Sequence, residues 1–184
     1  MTAIEGTSLR WFGAERVAAE PDVTALVQEY SGVLYRVALS VLRNASEAED
    51  VVQDVFVRVL QQGPKVGNVV DVRPWLVRIA WNLALDRRRR VRPEQMDEVF
   101  AAGLVARDLS ADQALAEQQR MAAVLREMER LPRGERDVLL LSVVDELGTA
   151  EMGKVLGKSE SAVRALLFRA RTRLRERLEM GGVR

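Results

Sequence analysis

The sequence contains neither cysteine nor histidine, and both absences narrow the chemistry open to the chain. Without cysteine there is no disulfide framework, no thiolate nucleophile and no zinc site of the usual kind. Without histidine the chain lacks the commonest general base and the commonest metal ligand. We therefore expect no catalytic residue, no metal and no cofactor, and a reducing compartment is consistent with this composition.

Long apolar runs are also missing, since no stretch approaches the roughly 20 residues that a membrane-spanning helix needs. Acidic residues interrupt the N-terminal segment, which lacks the pattern of a secretory signal, so we expect a cytoplasmic location. Aromatic residues are few, and no long run alternates with the period of a strand. The 184 residues are enough for one medium domain or two small ones, and we expect an all-α protein.

The net charge of +1 averages over segments of opposite sign. Between residues 158 and 177 the chain carries seven cations, whereas only Glu160 and Glu176 oppose them. In the same segment apolar side chains recur at spacings of three and four, which predicts a helix with one buried stripe: Val163, Leu166, Leu167, Ala170, Leu174 and Leu178. A helix stabilised by its own ion pairs would show a closer balance of charge, so the excess favours a nucleic-acid-binding face over an ordinary solvated one.

A short helical segment, Thr149 to Leu156, precedes this basic helix. Gly157 follows it as a candidate left-handed stop, and Ser159 is a candidate N-cap for the next helix. Two helices joined by so short a turn predict a helix-turn-helix. Gly153 inside the first helix costs about 1 kcal/mol relative to alanine, and it permits close helix packing.

Three further helices are predicted in the N-terminal half. The first begins after Asp22 and stops at Asn44, and the second begins with a capping box formed by Ser46 and Glu49. Glycine, proline and asparagine in residues 61–71 predict a departure from helical geometry. The third helix has Pro74 in its first turn and ends in four consecutive arginines at 87–90.

These patterns divide the chain into two small helical domains. Residues 1–21 are interpreted as an N-terminal arm and residues 22–92 as a three-helix domain. Residues 93–117 form an acidic linker, in which Arg107 is the only cation. Residues 118–184 form a second domain of four helices, which includes the helix-turn-helix.

The first domain carries charges of opposite sign on different helices. Asp50 and Asp54 are four residues apart and share a helix face with Gln53, whereas arginines dominate the third helix. Acidic residues early in a helix favour its macrodipole, but this explains Asp54 poorly. The acidic ridge and the basic helix therefore predict two partners, a basic protein surface and a polyanion.

Three segments then bear a specific resemblance to two regions of one family. The segments AEDVVQDVFVRVL and RPWLVRIAWNLALDRRRR resemble region 2 of bacterial sigma factors of the extracytoplasmic-function type. The segment LPRGERDVLLLSVVDELGTAEMGKVLGKSESAVRALLFRARTRLRERL is similar to their region 4. The two matches occur in the expected order and cover most of the chain.

The resemblance implies a promoter-specificity subunit that docks on core RNA polymerase, reads the minus-35 element with its second domain and opens the minus-10 element with its first. The polymerase performs the phosphoryl transfer, so the chain itself is not an enzyme. The implied partners are the clamp helices of the largest polymerase subunit, the flap region of the second-largest subunit, promoter DNA and an anti-sigma factor. Nucleoid association would follow from binding to polymerase.

The resemblance also assigns residues by motif position. The contacts to core polymerase are Glu49, Asp50, Gln53 and Asp54. The contacts to the minus-10 region are Asn68, Arg73, Arg78, Asn82, Arg87, Arg88, Arg89 and Arg90. The contacts to the minus-35 element are Lys158, Ser159, Ser161, Arg164, Phe168, Arg169 and Arg171.

Within these sets the residue types predict different roles. The amide of Asn82 can donate to and accept from a base edge, whereas the arginine run would hold phosphates without reading sequence. Residues 61–71 correspond to the pocket for an unstacked base, although they lack the aromatic residues often present there and Asp71 is their only acidic residue. Trp81 is either a packing ring or a stacking platform.

Two alternatives remain at this point. A helix-turn-helix regulator of the response-regulator output type shares the S-x-x-x-V-x-x-x-L spacing, but it would carry a sensing or phosphoacceptor domain in place of residues 22–92. An anti-sigma or adaptor protein that binds polymerase without DNA is disfavoured by the arginine-rich helices.

Overall fold

The computed structural model of the protein describes residues 22–90, 111–144 and 147–180. The predicted N-terminal arm and most of the predicted linker lie outside these residues. The described chain is helical and without strands, which confirms the predicted all-α class. In chain order its elements are α1 (Val23–Leu42), α2 (Ala45–Gln62), a 3-10 helix (Gly63–Asn68), α3 (Val72–Arg88), α4 (Ala111–Glu129), α5 (Arg133–Ser142), α6 (Thr149–Leu156) and α7 (Glu160–Met180).

Helices α1, α2 and α3 pack against one another as the first domain. Their buried positions recur at helical spacing, as the sequence predicts, and branched aliphatic side chains dominate them. The fully buried members include Leu34, Val37, Leu42, Val51, Val55, Val59, Leu76 and Val77. Trp81 is only 3% exposed, so its ring packs in the core and is not available as a stacking platform.

The junction of α1 and α2 differs from the prediction. Asp22 caps α1 as expected, because its carboxylate accepts a hydrogen bond from the amide of Ala25 at 3.1 Å. However, α1 ends at Arg43 in the left-handed conformation, with φ of 53°. Asn44 caps α2 by accepting from the amide of Glu47 at 3.1 Å. The predicted capping box at Ser46 is therefore wrong, because Asn44 takes that role two residues earlier.

The segment between α2 and α3 retains more helical structure than predicted. The chain leaves α-helical geometry at Gly63, whose φ is 52°, and continues as a 3-10 helix to Asn68. Val66 is buried beneath this turn, whereas Val70 is 94% exposed. Helix α3 then begins at Val72.

Helices α4 to α7 form the second domain. Helix α4 begins at Ala111, seven residues before the predicted start, so the end of the predicted linker is helical. Helix α5 ends at Ser142, earlier than the predicted end near Leu147. Helix α6 has the predicted bounds, and Leu141, Met152 and Val163 lie in the core that α7 covers.

The turn between α6 and α7 follows the prediction closely. Gly157 ends α6 in the left-handed conformation with φ of 65°, and the hydroxyl of Ser159 accepts from the amide of Ala162 at 3.2 Å. A Cβ added at Gly153 would lie 2.7 Å from the carbonyl oxygen of Lys158, closer than backbone atoms can come without moving. Gly153 therefore allows α6 to seat directly against the start of α7.

The two domains contact each other, with α3 against α6 and α1 against α5. Among the described helices, none has both the length and the apolar character needed to cross a membrane.

Candidate nucleic-acid and protein interfaces

Helix α7 presents different chemistry on its two sides. Val163, Leu167 and Ala170 are buried, and this half of the predicted stripe holds the helix on the domain. A second face, about 100° further round the helix, exposes 67% of the Arg164 side chain and 73% of Phe168. A guanidinium and an aromatic ring that share an exposed helix face can contact base edges and phosphates in a major groove.

A groove of 500 Å³ runs along this face, between α7 and the first residue of α6. It brings together the predicted Arg164, Phe168 and Arg171. It also contains Thr149, Thr172 and Arg175, which the predicted site set omits. Helical spacing from Arg164, Phe168 and Arg171 could have predicted that Arg175 shares this face. Thr149 lies on another helix, so no spacing within α7 could have predicted it.

Glu160, in the first turn of α7, binds both Thr149 and Arg164. The Thr149 hydroxyl donates to its carboxylate at 2.7 Å, and the Arg164 guanidinium donates to the same oxygen. These two hydrogen bonds lower the pKa of Glu160 below its ordinary value. The pair is exposed and therefore weak, so Arg164 can leave Glu160 for a stronger acceptor.

The remaining predicted residues of this site lie at the turn and on the outer side of α7. Lys158, Ser161 and Arg169 are exposed, as is Arg171 of the groove. Within the described residues, Lys158, Arg169 and Arg171 form no ion pair, so their charges face solvent. Ser159 is exposed, but its hydroxyl already caps α7 and lies 3.1 Å from that of Ser161.

Two other arginines of α7 point towards their own domain. Arg173 donates to Glu135 at 2.6 Å, and the Glu135 side chain is only 6% exposed. Arg177 donates to Glu127 at 3.4 Å. The excess positive charge of α7 is therefore divided between a solvent-facing set and a set that pairs with carboxylates of its own domain, the buried Glu135 and the partly buried Glu127.

The predicted polymerase-binding residues share one face of α2. Glu49, Asp50 and Gln53 are exposed, and Asp54 is half-exposed. Val57 and Leu60 continue this face by helical spacing and are 49% and 61% exposed. An acidic helix face with exposed apolar side chains suits a partner that presents basic and apolar groups together.

Arg87 from α3 lies across this acidic face. Its guanidinium donates to Asp54 at 2.7 Å, to Glu47 at 3.0 Å and to Asp50 at 3.4 Å. Burial alone would lower the pKa of Arg87, but the hydrogen bonds to Asp54 and Glu47 raise it overall. The structure thus joins members of two predicted sites, because a predicted phosphate contact sits on the predicted polymerase surface.

The other arginines of the run at 87–90 differ from one another. Arg88 donates to Glu129 of α4 at 2.5 Å and is 16% exposed. Arg89 pairs with Asp86 one turn earlier on its own helix at 3.2 Å. Arg90 is exposed and forms no ion pair in the described part of the chain. The run is therefore only partly free to bind phosphates.

The rest of the predicted minus-10 set lies on exposed surface, apart from Arg73. Arg78 and Asn82 are exposed and one helical turn apart, so they share a face of α3. Asn68 is exposed at the end of the 3-10 helix. Arg73 pairs with Glu151 of α6 at 3.5 Å, which places it between the two domains.

The arrangement has the chemistry of a binding protein with several surfaces. Over residues 22–90, 111–144 and 147–180, no group of acidic side chains forms a candidate metal site. Its distinctive features are an exposed cationic surface on α7, a partly neutralised arginine run at the end of α3 and an acidic face on α2.

Comparison with known proteins matches two parts of the chain to known families. Sigma-70 region 2 matches residues 26–94, and sigma-70 region 4 matches residues 121–174. The chain is 34% identical over 175 residues to the ECF RNA polymerase sigma factor SigL of Mycobacterium tuberculosis (strain H37Rv), covering 86% of this chain and 90% of the relative. It is 28% identical over 162 residues to the ECF RNA polymerase sigma factor SigW of Bacillus subtilis (strain 168), covering 83% and 87%.

Two solved structures share the fold. CnrH in complex with the cytosolic domain of CnrY superposes with a TM-score of 0.59 at 26% identity, covering 86% of this chain and 88% of that one. The sigma factor RpoE in complex with the anti-sigma factor NepR from Bartonella quintana gives a TM-score of 0.56, covering 86% and 97%. The second is 18% identical and shows the fold alone.

Proposed function

The chain belongs to the extracytoplasmic-function sigma factors, and we propose that it binds core RNA polymerase, directs it to promoters by their minus-35 and minus-10 elements and promotes promoter melting. The polymerase supplies the phosphoryl-transfer chemistry in this proposal. The protein would act in the cytoplasm and associate with the nucleoid when bound to polymerase. The regulator of response-regulator output type is not favoured, because residues 26–94 match sigma-70 region 2.

The observation that carries the proposal is the exposed basic face of α7, which lies beside its buried stripe on the second helix of the helix-turn-helix. Arg164 and Phe168, which are exposed on this helix, are proposed to reach base edges of the minus-35 element together with Ser161, which lies nearer the N-terminus of the helix. Lys158, Arg169 and Arg171 are proposed to contact phosphates, because unpaired cations add affinity and salt dependence without reading sequence. Ser159 would contribute mainly by capping the helix.

The acidic face of α2 is proposed to bind the clamp helices of the largest polymerase subunit. Asp50 and Asp54 supply charge, Glu49 and Gln53 extend the polar surface, and the exposed Val57 is available for apolar contact. Arg87 holds Asp50 and Asp54 side by side, so it orders this surface in addition to any contact with DNA. The second domain is proposed to reach the flap region of the second-largest subunit.

The exposed face of α3 is proposed to engage the minus-10 element. Arg78 and Asn82 project from it at helical spacing, and Asn68 stands at the edge of the preceding turn. Arg89 and Arg90 would follow the phosphate backbone, whereas Arg73 and Arg88 would have to leave their carboxylate partners first. Asn82 is the proposed base-reading residue, because its amide presents a donor and an acceptor together.

We also propose an anti-sigma partner. The support is the similarity in fold to RpoE, which is bound to the anti-sigma factor NepR, and to CnrH in complex with the cytosolic domain of CnrY. Such a partner would need to cover the α2 face or the α7 face to block transcription.

Run-off transcription tests the proposal directly. Core polymerase with and without the purified chain is given a library of genomic fragments, and transcripts are mapped to their start sites. The proposal expects new start sites that share an upstream and a downstream element and appear only with the chain. Start sites that do not change would refute it, whereas binding to DNA without any effect on the polymerase would revive the regulator alternative.

The polymerase surface is tested by charge removal that preserves shape. The double change Asp50→Asn and Asp54→Asn is expected to weaken association with core polymerase by about tenfold or more, since the paired charges are lost together. Glu47→Gln is the matched control, because it also removes a partner of Arg87 but lies outside the proposed contact. Co-purification with core polymerase gives the readout, and equal binding by both variants would remove Asp50 and Asp54 from the interface.

A further inference from the structure

Glu160 links the two helices of the helix-turn-helix through one carboxylate oxygen. The hydroxyl of Thr149, the first residue of α6, donates to Oε1 of Glu160 at 2.7 Å. A terminal guanidinium nitrogen of Arg164 donates to the same oxygen. Glu160 is the first residue of α7, and Arg164 lies one turn later on that helix. Because the two donors belong to different helices, the orientation of Arg164 depends on α6 as well as on α7.

The position of Thr149 is fixed by its surroundings. Glu151 caps the start of α6, since its carboxylate accepts from the amide of Gly148 at 3.2 Å. Gly153 lets α6 sit directly against the turn that leads to α7, because a Cβ there would lie 2.7 Å from a backbone oxygen of that turn. Threonine is also β-branched, so its hydroxyl has few rotamers. Thr149 is therefore a stiff donor held at a set place beside the start of α7.

Arg164 has one ion-pair partner in the described part of the chain, and that partner is Glu160. The Arg164 side chain is 67% exposed on the face that lines the α7 groove. A long exposed side chain loses rotamer freedom when it binds, and this loss opposes binding. A carboxylate that is itself held in place removes part of that freedom before DNA arrives, so it favours binding.

The bond to Glu160 leaves Arg164 able to contact a base. A guanidinium carries five N–H donors, and Glu160 accepts from one of its terminal nitrogens. The other donors include a pair that matches O6 and N7 of guanine, the commonest specific contact of arginine in the major groove. Arg164 can therefore keep its bond to Glu160 while it contacts a base, and the shared oxygen determines which way the remaining donors face.

We propose that Thr149 and Glu160 are positioning residues for base recognition, and that together they orient the Arg164 guanidinium towards one guanine of the minus-35 element. Thr149 holds the Glu160 carboxylate, and Glu160 holds Arg164, so neither has to touch that base. The inference rests on the proposed function. It goes beyond that function because it assigns base specificity to two residues outside the predicted site set.

The binding of holoenzyme to promoter duplexes measures this specificity. Core polymerase with the full chain binds a promoter found by run-off transcription, and its affinity is compared with that for duplexes that each change one base pair of the minus-35 element. Arg164→Ala identifies the base pair that Arg164 reads, because discrimination is lost at that position alone. We expect a G·C pair there.

Two variants then remove the positioning contacts. Thr149→Val removes the hydroxyl with little change of shape, and Glu160→Ala removes the carboxylate. Each is expected to lower the affinity for the matched duplex, and with it the discrimination at the base pair that Arg164 reads, by about three- to fivefold, as for the loss of a surface pair. Discrimination at the other base pairs should not change.

Two controls accompany these variants. Thr149→Ser retains the hydroxyl and should behave like the parent chain. Glu176→Ala removes the same charge as Glu160→Ala from an exposed position on the same helix, where Glu176 forms no ion pair with any described residue. It should leave the discrimination unchanged at every base pair. Circular dichroism checks that each variant retains its helices.

A double variant tests whether Thr149 acts through Arg164. In the Arg164→Ala background, Thr149→Val should leave the affinity for the matched duplex unchanged. A loss as large as in the parent chain would overturn the inference, because Thr149 would then contact DNA or support the fold by itself. Unchanged discrimination in both Thr149→Val and Glu160→Ala would also overturn it, and so would an equal loss at all base pairs.

Failure of the inference and failure of the proposed function give different results. If Arg164→Ala loses affinity equally on every duplex, Arg164 contacts phosphate, and the inference falls although the sigma-factor function stands. If the parent chain adds no start sites in run-off transcription, the proposed function is refuted and the inference falls with it.

Discussion

The end of α3 and the outer face of α7 are both rich in arginine, yet the fold uses them differently. At the end of α3, Arg87 contacts three carboxylates of α2 and Arg88 contacts Glu129 of the other domain. On α7, Arg164 pairs only with Glu160 one turn away, and Arg171 has no ion pair among the described residues. Similar composition therefore gives a largely neutralised segment in one domain and a solvent-facing cationic surface in the other.

The difference arises from what packs nearby. Helix α3 ends beside the acidic face of α2 and beside α4, so its guanidinium groups find carboxylates from other elements. Helix α7 lies at the edge of its domain, and although Thr149 of α6 reaches its outer face, no carboxylate of another described helix pairs with a cation there. An arginine whose guanidinium has no carboxylate partner in the fold can bind an external anion, whereas one that is already paired contributes to stability instead.

The largest expected effect tests this division inside α7. Arg173→Ala would leave Glu135 buried without its partner, and we expect a loss of about 2–3 kcal/mol in the free energy of unfolding, less than for a fully buried pair because Arg173 is 41% exposed. Arg171→Ala, two residues away, should change it by no more than about 0.5 kcal/mol. Urea denaturation measures the free energy of unfolding of both variants. Equal losses would contradict the division of α7 into paired and solvent-facing arginines.

The next effect concerns base recognition by α7. Arg164→Ala is expected to weaken binding to a matched minus-35 sequence by about 2 kcal/mol, as for the loss of a base contact. Its surface pair with Glu160 contributes little, so stability should barely change. Titration of matched and scrambled duplexes separates the roles, because an equal loss on both sequences would assign Arg164 to phosphate.

The same comparison can be made within the arginine run of α3. Arg90→Ala should weaken binding to all sequences alike and reduce the dependence of log affinity on log salt by about one unit, as expected for one phosphate contact. Arg87→Ala should leave that slope unchanged and lower the free energy of unfolding by about 1 kcal/mol, because three carboxylates lose their shared cation. A salt titration of DNA affinity is the measurement. A reduced slope in Arg87→Ala would show that Arg87 leaves α2 to bind DNA.

The smallest effect is a pH dependence at the start of α7. Hydrogen bonds from Thr149 and Arg164 lower the pKa of Glu160, so its contribution to stability is present above the ordinary glutamate value and is lost as the pH falls through the lowered one. The midpoint temperature of thermal unfolding, measured from about pH 5 down to pH 3, should therefore fall less steeply in Glu160→Gln than in the parent chain. Thr149→Val should also reduce the dependence of the unfolding temperature on pH, but by less. The same dependence in the parent chain and both variants would contradict a lowered pKa of Glu160.

Several local features could be predicted from residue types alone. Gly157 and Ser159 gave the bounds of the helix-turn-helix, because a left-handed stop and a hydroxyl cap act within a few residues. The start of α2 was missed because Asn44 and Ser46 are both good caps, and only the end of α1 at Arg43 selects between them. The early start of α4 was missed because an acidic segment resembles a linker until its helix packs.

The candidate sites divide in the same way. The exposure of Arg164, Phe168 and Arg171 follows from helical period, and the sequence predicts it. The partners of Arg88 and Arg173 lie 41 and 38 residues away, and no local pattern points to them. Thr149 joins the α7 groove for a similar reason, since another helix brings it there.

The sequence by itself determined the helices, the turn that orients α7, the family and the two surfaces that carry excess charge, because each depends on periodicity, capping or motif spacing over short distances. Only the tertiary structure decided which arginines are free and which are neutralised, that Trp81 is buried, and that Glu129 joins the two domains. The physical reason is that an ion pair depends on where two distant helices come to lie, whereas amphipathicity is a property of one helix alone.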